Sequence, residues 1–391
     1  MASLKNRWVV LGLMFLIGLT LPMQLQTVPA LAPFLITDLG LNFTDIGVLT
    51  GMFMFPGILL ALPGGMLTAR IGDKLSLTIG LSVMLGSALL FATSNSYGAM
   101  FFSRVLAGSG AVLVTMLLPK VTTDWFVGKE IAAALATIAS SFGFGVGLAQ
   151  AVLPMVADLT SWSIAVVANA TTIALAIILL LTIYRDREAN LGETDKQPGL
   201  WRLNRREFVL SMLAGIGRGL FSTGYVLFMG FLPIFLITQG MNPVDAGLLT
   251  SVAAMVSLVS VPLGGVLSDW TGKPNHFIVG GALGTALTCF LIPYFALPLL
   301  WVLLFGLLRG GCTGGIMALP SQVLRPGSRS NGFAVVSATY FACMASIPQL
   351  GGFLLDVTAD NSAAICLAGL LWLAIPILLA VFKVLQHKWI V

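Results

Sequence analysis

Apolar residues run through this chain in long blocks, separated by short polar breaks. Each block is roughly 20 residues or more, the length that crosses a bilayer core as a helix. Twelve blocks fit that description, at residues 8–33, 46–68, 75–94, 98–119, 131–157, 163–184, 208–236, 246–268, 276–295, 298–320, 332–355 and 363–383. The pattern predicts an all-α integral membrane protein with twelve transmembrane helices. The longest polar break, Arg185 to Glu207, falls between the sixth and seventh blocks. It predicts an N-terminal six-helix bundle over 1–184, a linker over 185–207 and a C-terminal six-helix bundle over 208–391.

The two halves also share residues at a fixed offset of 200. Pro33, Gly40, Asn42, Asp45, Gly47, Leu49, Thr50, Gly64, Gly65, Leu67 and Gly72 recur as Pro233, Gly240, Asn242, Asp245, Gly247, Leu249, Thr250, Gly264, Gly265, Leu267 and Gly272. Eleven identities in forty positions, without a gap, mark an internal repeat. Each half has an even number of spans, so both enter the membrane from the same side. The predicted arrangement is a parallel repeat about an axis along the membrane normal, which suits a transporter better than an enzyme or an anchor.

Charge supports the span count. Of the 20 Lys and Arg residues, 17 fall on one side of the twelve-span arrangement, from Lys5 and Arg7 at one terminus to Lys383 and Lys388 at the other. The opposite loops carry only acids, including Asp38, Asp45, Asp158, Asp245 and Asp360. This bias places both termini and the central linker in the cytoplasm. The pI near 9.2 is therefore a topology signal, and nucleic acid is not an expected partner. Composition agrees: 58% hydrophobic, 9% charged, mean hydropathy +0.99, with the lipid bilayer as solvent. The first block is too long, and too poor in a small-residue cleavage signal, to be a removed signal peptide. Cys289, Cys312, Cys343 and Cys366 all lie within spans and read as free thiols. No metal-binding spacing, cofactor motif or nucleotide-binding loop occurs, so neither a cofactor nor ATP is expected.

The three remaining basic residues lie inside spans: Arg104 in the fourth, Arg218 in the seventh and Arg309 in the tenth. Arg218 and Arg309 sit ten and eleven residues into their helices, roughly 15 Å deep in a core about 30 Å thick. Arg104 is six residues in, where it can snorkel to water. All fifteen acids lie in loops or at helix ends. A mid-membrane arginine costs about 2.5 kcal/mol or more, so it needs a cavity or a partner. With no carboxylate at that depth, a bound anion is the natural counter-charge, and the planar guanidinium suits carboxylate-like oxygens. The structural alternatives are that Arg104 bonds helix-end carbonyls, and that backbone in the glycine-rich run Arg309-Gly-Gly-Cys-Thr-Gly-Gly satisfies Arg309. Arg218, in Gly215-Ile-Gly217-Arg218-Gly219, has small neighbours that let a ligand approach.

After the second span the chain reads Gly65-Met-Leu-Thr-Ala69-Arg70-Ile-Gly72-Asp73-Lys74, and its repeat reads Gly265-Val-Leu-Ser-Asp269-Trp-Thr-Gly272-Lys273. Both resemble the G-x-L-x-D-R-x-G-R-R/K signature of the major facilitator superfamily. The fourth span, Arg104-Val-Leu-Ala-Gly108-Ser-Gly110, resembles that family's R-x-x-x-G-x-G motif, and Arg309 is read as the corresponding residue of span ten. The resemblance covers the whole chain. It implies a central cavity lined by spans one, four, seven and ten, alternating access by rocking of the halves, and a monomer. Substrate-binding candidates are then Arg218, Arg309, Arg104, Gln24 and Tyr225. Gln26, Thr115, Ser222 and Thr223 are further polar groups in those spans, and Gln24 and Gln26 point about 200° apart, so one of the two faces the cavity. Gating candidates are Gly65, Arg70, Gly72, Lys74, Gly265, Asp269, Gly272 and Lys273, with Ala69 replacing the signature acid in the first copy.

The segment around TDLGLNFTDIGVLTG resembles the anion-handling bacterial branches: cyanate, nitrate and carboxylate transporters. The arginines that nitrate carriers place in spans two and eight are absent, as are the basic residues of oxalate-type carriers in spans eight and eleven. Leu148 stands where drug antiporters carry the proline of their span-five motif. The expected function is transport of a small organic or inorganic anion, carboxylate favoured, as a uniporter, exchanger or symporter. The rival is a multidrug-type exporter of hydrophobic or cationic compounds, whose expected acid in the cavity is missing.

Overall fold

The computed structural model describes residues 2–60, 71–126, 130–185, 203–295, 297–325 and 328–388. Among these residues there are twelve α-helices and no strand: α1 (Ala2–Leu39), α2 (Phe43–Met52), α3 (Asp73–Ala92), α4 (Tyr97–Trp125), α5 (Ile131–Leu159), α6 (Trp162–Ile183), α7 (Arg205–Thr238), α8 (Pro243–Thr271), α9 (Pro274–Leu291), α10 (Pro298–Ala318), α11 (Arg329–Thr358) and α12 (Ala363–Lys388). After a turn at 53–55, helix resumes over 56–60. Eleven described spans are long and apolar enough to cross a membrane; α9, which begins Pro-Asn-His, is not among them. Twelve helices were expected and twelve form. Their ends run past the apolar blocks where polar residues continue the helix: α1 reaches Leu39 rather than residue 33, and α7 begins at Arg205 inside the expected linker.

The chain divides into two compact units. One comprises Met1–Leu41, Met52–Ala189 and Asn242–Ser251; the other comprises Asn42–Gly51, Asn190–Met241 and Val252–Val391. Within the first unit, α1 packs on α5 and α6, and α3 packs on α4 and α6. Within the second, α7 packs on α11 and α12, and α9 packs on α10 and α12. Each pairing in one unit has its counterpart six helices later in the other.

The repeated residues mark helix boundaries. Gly40 and Gly240 have φ of 66° and 92°, and Gly72 and Gly272 have φ of 84° and 64°. These are the four described glycines with left-handed backbone, where a Cβ would be strained, and each lies at a break between helices. Asn42 and Asp45 cap α2 reciprocally: the Asp45 amide donates to Asn42 Oδ1 at 2.7 Å and the Asn42 amide to Asp45 Oδ2 at 3.1 Å. At α8 the Asp245 amide donates to Asn242 Oδ1 at 2.8 Å, and Asn242 Nδ2 donates to Asp245 Oδ2 at 2.6 Å. These caps satisfy amides that the first turn of a helix leaves without a partner.

Just beyond the caps, glycines permit backbone-to-backbone contact. A Cβ on Gly47 would strike the Pro348 carbonyl of α11, and one on Gly51 the Ala345 carbonyl. Gly352 of α11 meets the Phe43 carbonyl in the same way. In the other unit, Gly247 of α8 meets the Gln150 carbonyl and Pro154 of α5. Asp356 adds a bond set found on the α2 side: it accepts from the amides of Phe43 (3.1 Å) and Thr44 (2.8 Å) and from the Thr44 hydroxyl (2.6 Å).

Each unit also carries an ion pair from the start of its first helix, and the sign is reversed between them. Arg7 Nη2 donates to Glu130 at 3.0 Å, whereas Glu207, 200 residues later, accepts from Arg325 Nε at 2.8 Å, Arg325 Nη2 at 3.1 Å and Ser328 Oγ at 2.7 Å. All four cysteines are free thiols.

The glycine contacts predict that Gly47→Ala and Gly352→Ala each destabilise the protein by about 1–3 kcal/mol through overpacking. Gly12→Ala, whose Cβ would meet nothing within 4 Å, is the matched control and leaves the melting temperature unchanged or slightly raised. Thermal unfolding of the purified protein in detergent reads the difference; equal effects in all three variants would refute the packing account.

Candidate functional site

The α7 helix has three faces. Gly215 and Gly219 press against Thr339 and Cys343 of α11, while Gly217 and Gly224 press against Leu378 and Trp372 of α12. Between those two packing faces lie Arg218, Phe221 and Tyr225. Arg218 and Tyr225 are seven residues apart, so they point within about 20° of each other.

Arg309 of α10 closes on this third face. Its guanidinium lies 3.9 Å from the Tyr225 ring centroid and 5.0 Å from that of Phe221. Arg218 lies 4.7 Å over the ring of Tyr340, on α11. Both arginines are partly buried. Neither takes part in the three ion pairs found among the described residues. The Nε atoms of both, the Tyr225 hydroxyl and the Thr223 hydroxyl are buried without a hydrogen-bond partner among those residues. Aromatic faces supply a partial negative charge to a cation, worth about 0.5–2 kcal/mol, but they accept none of its directed N–H bonds. The guanidiniums are thus held in place while part of their donor capacity is unspent.

Behind them is an aromatic wall. Phe228 and Phe305 stack at 3.6 Å, Tyr225 and Phe305 at 6.4 Å, and Phe221 meets the edge of Trp372 at 4.9 Å. Tyr340, Phe305 and Trp372 were not singled out in the sequence. They come from three other helices, and only the rarity of tyrosine, five in the chain, sets Tyr340 apart.

Arg104 is in a different situation. It is 2% exposed, its Nη1 donates to the Gln24 carbonyl at 2.8 Å, its Nη2 approaches the Leu25 carbonyl at 3.4 Å, and it lies 4.8 Å over the Phe53 ring. The reason is in α1, which contains Pro22, Pro29 and Pro33. Proline has no N–H, so Pro29 leaves the carbonyl four residues earlier, Leu25, without its helical donor. Asn169 supports the same stretch, donating to the Met23 carbonyl at 3.2 Å and to Thr27 Oγ1 at 2.9 Å. The gap beside Arg104, lined by Gln24, Thr27, Ser87 and Ser103, is too narrow for a water molecule. Gln24 and Gln26 are both buried, and of the two Gln24 lines that gap.

The expected correspondence between Arg104 and Arg309 also fails. Gly108 of α4 meets the Phe53 carbonyl, and Gly306 of α10 meets that of Ala253, the residue 200 positions after Phe53. Gly80 likewise meets the Gly110 carbonyl, and Gly281 that of Leu308. Both contacts align α4 with α10 at an offset of 198, which pairs Arg309 with Ala111.

Among the gating candidates, Gly72 and Gly272 have left-handed backbone, as described. Lys74 Nζ donates to the carbonyls of Leu181 (2.9 Å) and Tyr184 (2.7 Å) at the end of α6, where a cation complements the exposed carbonyls. Its neighbour Asp73 pairs with Lys120. A Cβ on Gly265 would meet open space, and the side chains of Asp269 and Lys273 make no hydrogen bond or ion pair among the described residues. Gly65 and Arg70 lie outside the described residues.

Twelve helices in two repeated units, with basic groups held inside the spans, define a polytopic membrane carrier. The sequence matches the Major Facilitator Superfamily over residues 10–348, and the chain belongs to that family. By its helices it is a multi-pass membrane protein of that family. It is 24% identical over 294 residues to the probable galactarate/D-glucarate transporter GudP of Bacillus subtilis (strain 168), covering 67% of this chain and 65% of the relative. It is 21% identical over 283 residues to a hexuronate transporter of the same organism, covering 69% and 66%. It is 26% identical over 222 residues to the quinolone resistance protein NorA of Staphylococcus aureus (strain MSSA476), covering 54% of each. The chain thus spans between about half and two thirds of the length of these relatives. Among solved structures it shares the fold of the nucleoside transporter NupG, with TM-score 0.73, 14% identity and coverage of 96% and 99%. It also shares that of a bacterial homologue of the human lysosomal transporter Spinster in an inward-facing, occupied conformation, with TM-score 0.74, 15% identity and coverage of 98% and 96%.

The contrast between the arginines predicts different stability effects. Arg104→Gln leaves the Leu25 carbonyl unpaired in a dry site and costs about 1–3 kcal/mol. Arg309→Gln breaks no hydrogen bond and has a smaller effect. Melting temperatures of the two variants without ligand decide the matter; a fall in Arg309→Gln as large as that in Arg104→Gln would assign Arg309 a structural role.

Proposed function

We propose that this transporter moves a small organic or inorganic anion, a carboxylate in preference, across a bacterial inner membrane by alternating access, with both termini in the cytoplasm. One observation carries the reading. Arg218 and Arg309 share a face of the second unit, deep in their helices, resting on aromatic rings and in no ion pair among the described residues. Desolvated cations with unspent donors favour an anion strongly, because a bidentate guanidinium–carboxylate pair forms with little reorganisation. Relatives named as transporters of galactarate/D-glucarate and of hexuronate support a sugar-acid-like ligand. Arg104 serves this scheme indirectly, by bonding α1 at the stretch before Pro29. With no acid at the depth of the arginines, the transport mode is uniport, anion exchange, or symport in which the proton travels on the anion.

A second reading has its own observation. The clustered rings of Tyr225, Phe228, Phe305 and Trp372, together with the NorA relatives, suit export of hydrophobic or cationic compounds.

Thermal stabilisation separates the two. A ligand that binds the folded state alone raises the melting temperature by mass action, so detergent-purified protein is screened against carboxylates, nitrate, cyanate, amines and apolar drugs. The expected result is a dose-dependent rise with a carboxylate that is lost in Arg309→Gln, where the missing charged bonds weaken binding by about tenfold or more. Stabilisation by cations or neutral drugs, unchanged in Arg309→Gln, would reject the anion reading in favour of export.

A further inference from the structure

Resting on the anion reading, we infer that the ligand is an organic dianion, a dicarboxylate whose two acid groups are taken separately by Arg218 and Arg309. Two positive groups on one face are more than a single carboxylate needs. They rest on different rings. Arg309 sits over Tyr225, and Tyr225 is two turns beyond Arg218, roughly 10 Å along the axis. Arg218 is drawn aside onto Tyr340 of α11, while Arg309 is held between Tyr225 and Phe221. Each guanidinium therefore has its own aromatic seat.

The strip between them is the ring of Phe221, one turn beyond Arg218 and one before Tyr225. A monocarboxylate would fill one seat and leave the other guanidinium desolvated and uncompensated, a penalty that a dianion of matching length removes. Tyr225 adds a hydroxyl at the Arg309 end that lacks a partner among the described residues, so that end can give a carboxylate a further donor.

The test is a length series on the full-length protein purified in detergent. Succinate, glutarate, adipate and pimelate are titrated against butyrate, valerate, hexanoate and heptanoate, with affinities taken from isothermal calorimetry. The proposal expects one dicarboxylate to bind at least about tenfold tighter than the monocarboxylate of equal length, with an optimum in spacer length. It also expects Arg218→Gln and Arg309→Gln each to erase that advantage, and Arg218→Lys to keep part of it. Equal affinity for matched mono- and dicarboxylates in the wild type, with binding still lost in Arg309→Gln, would overturn the two-seat inference and leave the anion reading standing. An advantage that survives Arg218→Gln would overturn it as well. Failure of every carboxylate to bind would overturn both.

Discussion

Hydrocarbon supplies no hydrogen-bond partners, so every backbone group that leaves the regular helical ladder inside a span must find one in the protein. Much of the architecture follows from this constraint. The α1 helix carries three prolines, and Pro29 releases the Leu25 carbonyl in the middle of the membrane. Arg104 reaches across from α4 to that stretch, and Asn169 from α6 steadies the turn before it. Arg104 and Asn169 thus join α4 and α6 to α1 by polar contacts at the stretch before Pro29. At the helix starts, the Asn–Asp caps of α2 and α8 meet the same demand for free amides, and Lys74 meets it for the last carbonyls of α6.

The constraint also sorts the arginines. A cation inside a span is costly whatever holds it. Arg104 spends donors on carbonyls that would otherwise be orphaned, so its charge and their lone pairs offset one another. Arg218 and Arg309 rest on rings, which steady the charge but leave directed donors unspent. Loss of a donor matters where a partner depends on it. On that basis Arg104 belongs to the scaffold, and the other two are available to something that arrives from outside.

Much of the scaffold was legible in the sequence, because span length, charge bias and the 200-residue offset report on local physics. Gly40, Gly72 and their repeats stand where the backbone turns left-handed. Asn42 and Asp45 stand where a helix begins. Gly47 and Gly247 stand where helices touch backbone to backbone. Each can be read from one residue and its neighbours. Contacts between distant helices could not be read this way. That Tyr340 seats Arg218 depends on how α11 packs on α7. That Arg104 serves Leu25 depends on a proline 75 positions before it. Carrying the span-four motif over to span ten put Arg309 in the place of Arg104; the glycine contacts of α4 and α10 set the true alignment and separate them.

That alignment bears on which arginines the fold itself requires. Features needed to build a six-helix unit occur twice here: the caps, the left-handed glycines, the helix pairings, and the ion pair at the start of the first helix, even though its polarity is reversed between Arg7 and Glu207. Arg104 occurs once, and so does its cause, since Met229 stands 200 residues after Pro29. Arg218 and Arg309 also occur once, with Gly18 and Ala111 at the matching positions of the first unit, and no broken helix explains them. The first unit shows that this architecture forms without a cation at either place. Under the anion proposal, such a charge, at a cost of about 2.5 kcal/mol or more each, is retained for what it binds.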